Sequence, residues 1–452
     1  MVLYLKNNWR KILKYILIYI FVFICYEFLL FFLNTGDAIN SFTFSHALRN
    51  GEIIYKDFNT VTTPLYAVIM SLGLYVYDNY ITFLLEQVLL VTILIYFLEK
   101  ILEKKTYLFL AIVIVLSCLK VFLPTYNFLI LLFMVILYYL EKKYSDKDYL
   151  IGFIIGLAIL SKHVIGCLLI IPTFIICYHD KRKIFRRLIG VSIPCFALVI
   201  YLLINNNLFA FIDLCFLGLF DFNNKNGNLH GAFFYLSILI LILIIAFIIK
   251  HKDLKYNYYL PCAFTFSYPL FDYLHIILFA FFFLLMIFDY LKLNQSKLLY
   301  YLGIILVFLF LFLFRIGFAN TDLCFYKNIK YYDRYYMTSS LYEEFNNYNK
   351  FLDKYCINKK CLVFSLYATI YDVSRDRKIN YYDILLYGNL GYNGTNRIIN
   401  DIKSRKNTYF MLGKNILDPK PDSQYNVEIT NYIIKNYKKV DSNKDFIVYY
   451  SG

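Results

Sequence analysis

Charge is scarce in this chain. Only 17% of its 452 residues are Asp, Glu, Lys or Arg, whereas a soluble globular protein carries about 25%. Hydrophobic residues reach 60% and the mean hydropathy is +0.56. That is more apolar surface than one aqueous domain can bury, which excludes a cytosolic enzyme, a disordered chain and a secreted disulfide scaffold. An aromatic share of 21% excludes a coiled coil rich in Leu and Ala. Also missing are a P-loop, a Rossmann glycine pattern, an H-E-x-x-H, zinc-type cysteine spacing and any repeat of solenoid length. What remains is a polytopic α-helical membrane protein.

The net charge of +15 is spread through short loops between apolar runs, which speaks for anionic lipid and membrane sidedness and against nucleic acid. Of the cysteines, Cys25, Cys118, Cys167, Cys177, Cys195, Cys215 and Cys262 lie in or beside apolar runs, where cysteine serves as a small core residue. Cys324, Cys356 and Cys361 lie in a polar tail, and the pair five apart is spaced for a local disulfide outside the cell.

Apolar runs at 12–33, 81–98, 106–123, 127–140, 149–161, 164–178, 188–205, 232–250, 256–268, 274–290 and 298–315 predict about eleven spans. The first follows Lys6, Arg10 and Lys11, is too long for a signal-peptide core and reads as an uncleaved span with its N-terminus inside. The basic loops Lys100/Lys104/Lys105, Lys142/Lys143/Lys147, Lys181/Arg182/Lys183/Arg186/Arg187, Lys250/Lys252/Lys255 and Lys292/Lys297 fall on the cytoplasmic side only if Pro64 to Tyr77 does not cross. That segment starts with a helix-initiating proline and suits a helix lying flat at the interface, as does Leu208–Phe220. The loop 34–80 is then extracytoplasmic. Residues 1–315 form the membrane domain, and 316–452 an outer α/β domain with β-like runs at 361–367, 408–412 and 446–450 and a helix-like stretch at 427–437.

Polar residues at the outer span ends are costly near lipid unless used or paired. The first loop reads NTGDAINSFTFSHALRNGEIIYKDFNTVTTPLY and carries Asp37, Arg49, Asp57 and Thr63. Three later turns carry Pro124, Tyr126 and Asn127; Ser161, Lys162 and His163; and Asp272 and His275. An acid directly after span one, a helix, then x-x-x-G-x-x-x-Y-x-D and T-P-L-Y resembles the first external loop of the GT-C glycosyltransferases, such as protein O-mannosyltransferases and lipid A aminoarabinose transferases. The stretch G-L-A-I-L-S-K before His163 resembles their G-L-A-x-L-x-K, and P-L-F-D-Y-L-H their late P-x-x-D-x-x-H turn; the resemblance covers roughly residues 1–315.

The resemblance implies a GT-C-like fold and transfer of a sugar from a polyprenyl-phosphate carrier to an envelope glycan, lipid or protein, at the outer face of a bacterial plasma membrane. Asp37 would be the catalytic or acceptor-activating acid and Lys162 a contact to carrier phosphate. Where many members carry a second acid, this chain has Asn127, which leaves a divalent cation open. The chemistry itself asks for a base near the acceptor hydroxyl, which Asp37 or Asp57 could be, and for cations at the leaving phosphate, from Arg49, Lys162, His163 or His275.

Each group also has a plainer reading: Asp37 as a helix cap, Asp57 as a turn acceptor, Lys162 snorkelling, Asp272 with His275 as a capping pair, Glu27 and Glu86 bonding neighbouring helices. A transporter or flippase is the alternative function. Against it stand ionisable residues crowded on one face and the lack of an inverted hydropathy repeat. A polysaccharide polymerase or ligase would need a principal basic loop late in the chain, which is not there.

Overall fold

The computed structural model describes residues 2–29, 36–102, 125–220, 232–250, 255–267, 273–290, 323–325, 329–332, 336–357, 360–365, 368–379, 385–386, 389–417 and 425–452. The expected spans 106–123 and 298–315, with Pro124 and Asp272, lie outside these residues. The chain divides into two units: 1–33, 82–198 and 228–321 in one, 34–81, 199–227 and 322–452 in the other. The loop expected within the 1–315 domain thus groups with the tail.

The first unit is helical, with helices Val2–Leu29, Tyr126–Lys143, Asp148–Ser161, Ala232–Lys250 and Tyr273–Tyr290, the two short pieces His163–Leu168 and Ile170–Ile176, and most of Lys181–Ile204. Among the described residues, Tyr80–Leu102 and Lys181–Ile204 are long and apolar enough to cross a membrane. The run 256–268, expected as a span, is a 3-10 turn, one α turn opened by Pro261, and a second 3-10 turn. Its 13 residues would rise only about 20 Å as an α-helix, short of the roughly 30 Å of a bilayer core.

Small residues let two of these helices touch backbone to backbone. A Cβ on Gly152 would sit 1.9 Å from the Arg187 carbonyl oxygen, one on Gly156 2.4 Å from Pro194 Cγ, and one on Gly190 2.3 Å from the Tyr149 carbonyl oxygen. The G-x-x-x-G spacing of Gly152 and Gly156 is the pattern that permits such an approach. At the same crossing Arg187, 1% exposed, donates from Nε to Asp148 (3.1 Å) and from its two Nη atoms to Glu141 (2.5 and 3.1 Å). Tyr259 donates to the same Glu141 (3.0 Å). Arg187, expected among the basic residues of a cytoplasmic loop, is a buried ion-pair centre. Losing either partner of such a pair strands a buried charge.

The second unit contains a four-stranded sheet. Strands Leu323–Phe325 (β1) and Tyr336–Thr338 (β2) form a separate antiparallel ribbon, while Lys360–Phe364 (β3), Thr408–Gly413 (β4), Lys438–Ser442 (β5) and Phe446–Tyr450 (β6) order as β3-β4-β6-β5. β3 and β4 run parallel and the other pairs antiparallel. Strand alternation splits the side chains. Leu362, Phe364, Phe410, Leu412 and Tyr449 join Ile398 and Ile402 of helix Gly394–Ser404 and Ile429 and Ile433 of helix Val427–Asn436 in one core. The opposite face meets helix Ser339–Tyr355, where Tyr348 packs on Phe446 and Tyr355 on Tyr409. A disulfide joins Cys356, just past that helix, to Cys361 on β3.

Replacing Gly152 by Ala forces its Cβ into the Arg187 backbone. We expect a loss of about 1–3 kcal/mol, read as a lower unfolding midpoint of the detergent-solubilised chain, and an unchanged midpoint would refute this crossing.

Candidate functional site

Within the second unit the first loop is a folded element. Helix Gly36–Arg49 ends where Gly51, at φ +83°, turns the chain: its N–H bonds the Leu48 carbonyl (3.0 Å) and the Glu52 N–H bonds that of Ala47 (3.0 Å). This pair is the Schellman ending, which wants glycine at that position. A ring of four side chains locks the helix end. Arg49 donates to Asn50 Oδ1 (2.7 Å) and Asn50 Nδ2 donates to His46 Nε2 (2.8 Å). That leaves the ring proton on Nδ1, which donates to Asp78 Oδ1 (2.8 Å). Asp78 Oδ2 closes the ring at 3.3 Å from Arg49, so Arg49, expected at a phosphate, is engaged here.

After the turn, Asp57 accepts the Ile53 N–H (2.7 Å), closing the tight loop that holds Tyr55 at φ +68° with its hydroxyl on the Thr62 carbonyl (2.7 Å). That is the turn-forming role for Asp57. Thr63 is buried ahead of Pro64 and helix Leu65–Ser71. Asp37 lies in the first turn of helix Gly36–Arg49; its side chain is outside the described residues.

Tail and 199–227 segments complete this unit. Asn59 donates to the Asn389 carbonyl, Asn207 to that of Ile54 (2.7 Å), and the Tyr80 N–H to that of Tyr331 (2.8 Å), while Phe42, Tyr80 and Tyr332 pack as one aromatic cluster. Asp213 accepts from Arg397 (2.7 Å) and from the Tyr392 N–H (3.1 Å). Gly391, at φ +76°, is needed there because a Cβ would lie 2.1 Å from Asp213 Oδ2. Cys215 is buried against Tyr55, and burial pushes its thiol up to about 12, which makes it inert.

Glu52 stands out. It is only 9% exposed, and its Oε2 has no hydrogen-bond partner. Burial pushes its carboxyl from the usual 4.5 up to about 7; Lys378 opposes the shift, and Asp57 and Asp372 add to it. Asp372, itself buried, accepts from Tyr348 (2.7 Å) and pairs with Arg377 (2.9 Å), and burial raises it to about 6. The unit therefore holds two carboxyls that exchange protons near neutral pH, as acid–base groups must. Sequence reading missed both. The G-E dipeptide after the first-loop helix marks a helix end, and nothing in it reports burial.

In the helical unit two of the expected turns meet. Lys162 donates to Asn127 Oδ1 (2.7 Å) and lies over the Tyr126 ring (5.6 Å), while Ser161 Oγ donates to the Tyr126 carbonyl (3.1 Å). Asn127 and His163 are buried, and His275 is half-buried in the first turn of Tyr273–Tyr290. Among the described residues no three His, Cys, Asp or Glu side chains are grouped to hold a metal. No family model, curated protein or solved structure matches the chain.

The raised Glu52 value has a defined consequence for stability. Below about pH 4.5 folded and unfolded chains both hold the proton. From there to about 7 only the unfolded chain releases it, so stability falls as pH rises and the loss is complete above 7. Glu52→Gln should flatten the unfolding midpoint across that window and raise it at pH 8; an identical pH profile in the variant would refute the burial of this carboxyl.

Proposed function

We propose that the chain is an integral membrane glycosyltransferase of the GT-C kind, moving a sugar from a polyprenyl-phosphate carrier to an envelope glycan, lipid or protein at the outer face of the bacterial plasma membrane. The observation that carries this reading is the first loop. Its order of motifs resembles that family, and it is packed so that Glu52 is buried with a value near 7.

Sugar transfer from a lipid phosphate needs a proton removed from the acceptor hydroxyl and charge held on the departing phosphate. In this proposal Asp37 is the base. Glu52 is a second carboxyl of the same loop that holds its proton up to about neutral pH, its turn lying ten helical residues, about 15 Å, from Asp37, and Lys162, held by Asn127, contacts phosphate. Exposed apolar side chains at Leu72, Tyr75, Val76 and Tyr77, and at Phe209, Phe216 and Phe220, support a seat for these segments at a lipid surface. The Cys356–Cys361 disulfide supports an oxidising, extracytoplasmic side for the tail.

The test uses the purified full chain in lipid nanodiscs with radiolabelled polyprenyl-phosphate hexose or pentose and envelope extract as acceptor. Asp37→Asn should lower label transfer by about a hundredfold or more with an unchanged unfolding midpoint. Transfer at the unaltered rate would remove Asp37 from the mechanism. Carrier movement between leaflets with the sugar bond intact would favour a flippase.

A further inference from the structure

We infer that the tail carries a separate binding site for an acidic saccharide, a sugar chain bearing carboxylate or phosphate groups, at the edge of its sheet. The inference rests on reading the tail as extracytoplasmic, where such polymers lie, and takes the chemistry of the ligand beyond that reading.

The site is a cleft of about 730 Å³ lined by Lys360, Ser404, Arg405, Lys406, Asn407, Thr408, Tyr409 and Tyr450. That volume falls within the roughly 300–1,000 Å³ usual for small-ligand sites. Its construction follows from strand register. Tyr409 on β4 stands directly opposite Tyr450 on β6, so both rings project from the same face, with centroids 4.7 Å apart and planes 33° apart. Tyr355 continues the row, 5.3 Å from Tyr409. One bond fixes the platform: Tyr450 donates to Asn407 Oδ1 (3.1 Å), and Asn407 holds a left-handed φ of +52° that an asparagine tolerates.

Around these rings stand cations. Lys360 opens β3, Arg405 and Lys406 follow the end of helix Gly394–Ser404, and Lys438 on β5 pairs directly with Tyr450. Lys360, Lys406 and Lys438 are exposed. Arg405 is bonded to Asp401 (2.9 Å) and Asp441, which accepts from Tyr355 (2.5 Å), pairs with Lys354 (2.7 Å), so the exposed Lys360, Lys406 and Lys438 give the cleft an excess of positive charge.

The half-buried, mutually tilted rings of Tyr409 and Tyr450 offer faces for the C–H side of a sugar ring. Ser404, Asn407 and Thr408 supply polar groups for hydroxyls, and the ammonium groups meet carboxylate or phosphate oxygens. A purely anionic ligand would leave the tyrosines unused and a neutral sugar would leave the lysines unused. An acidic saccharide uses both. Aromatic rings beside cations also suit single-stranded nucleic acid, which the test separates.

The experiment measures binding of a fluorescent oligogalacturonate to the full chain in nanodiscs at low and high salt, with a neutral malto-oligosaccharide and oligo(dT) as competitors. We expect saturable binding that weakens with salt. The exposed-residue variant Lys360→Glu/Lys406→Glu should weaken it by about tenfold or more. Tyr450→Leu, which keeps bulk and removes the ring, should weaken it by several-fold. Equal binding by the wild type and the double variant overturns the inference, as does competition by the neutral sugar as strong as by unlabelled oligogalacturonate. Tighter binding of oligo(dT) overturns it in favour of nucleic acid. The assay involves no transfer step, so an inactive transferase that still binds refutes the proposed function alone.

Discussion

The segment between the first two long helices is buried against the tail, and the chemistry of the second unit depends on that burial. In solvent, residues 36–80 would present ordinary carboxylates. Packed against Tyr331, Tyr332, Asn389 and the helix Ala368–Ser374, the loop loses water around Glu52 and places it near Asp372, a residue more than 300 positions away. The cost of desolvating a carboxylate is what moves its proton affinity toward neutrality. The ring of Arg49, Asn50, His46 and Asp78 and the glycine turn at Gly51 serve this end, because they fix where the helix stops and hence where Glu52 points.

The helical unit depends on a different constraint, close approach. Gly152, Gly156 and Gly190 remove side chains where helix Asp148–Ser161 crosses helix Lys181–Ile204, and the shortened distance brings Arg187 onto Asp148 and Glu141. Tyr259 adds a further bond to Glu141, while Asp148 Oδ2 has no hydrogen-bond partner and lies 4.0 Å from Arg186. Lys142 and Tyr138 treat Asp289 in the same way, tying helix Tyr126–Lys143 to Tyr273–Tyr290.

Periodicity and turn chemistry were legible in the sequence. The β-like runs at 361–367 and 408–412 overlap strands β3 and β4, the run 446–450 matches β6, the stretch 427–437 contains the helix Val427–Asn436, and Pro64 immediately precedes a helix. The short strand β5, KKVDS, was not legible because its exposed edge carries no alternating apolar pattern. Nor was the break of the 256–268 run into single turns, since mean hydropathy is blind to local helix type. Of the site residues, the meeting of Lys162 with Asn127 and Tyr126 was anticipated only as two turns on one face. The pairing of Arg49 with Asp78, and the burial of Glu52 and Asp372, arise from contacts between distant segments that no spacing rule encodes. For the same reason Arg187 read as a topology-setting surface charge although it is among the most buried side chains.

The most direct test is pH-difference infrared spectroscopy of the chain in nanodiscs, with Glu52→Gln subtracted from wild type. The account predicts a protonated carboxyl band, absent from the variant, that disappears with a midpoint near pH 7. A band with a midpoint near 4.5, the ordinary value for glutamate, would contradict the burial of the first loop against the tail and the acid–base role built on it.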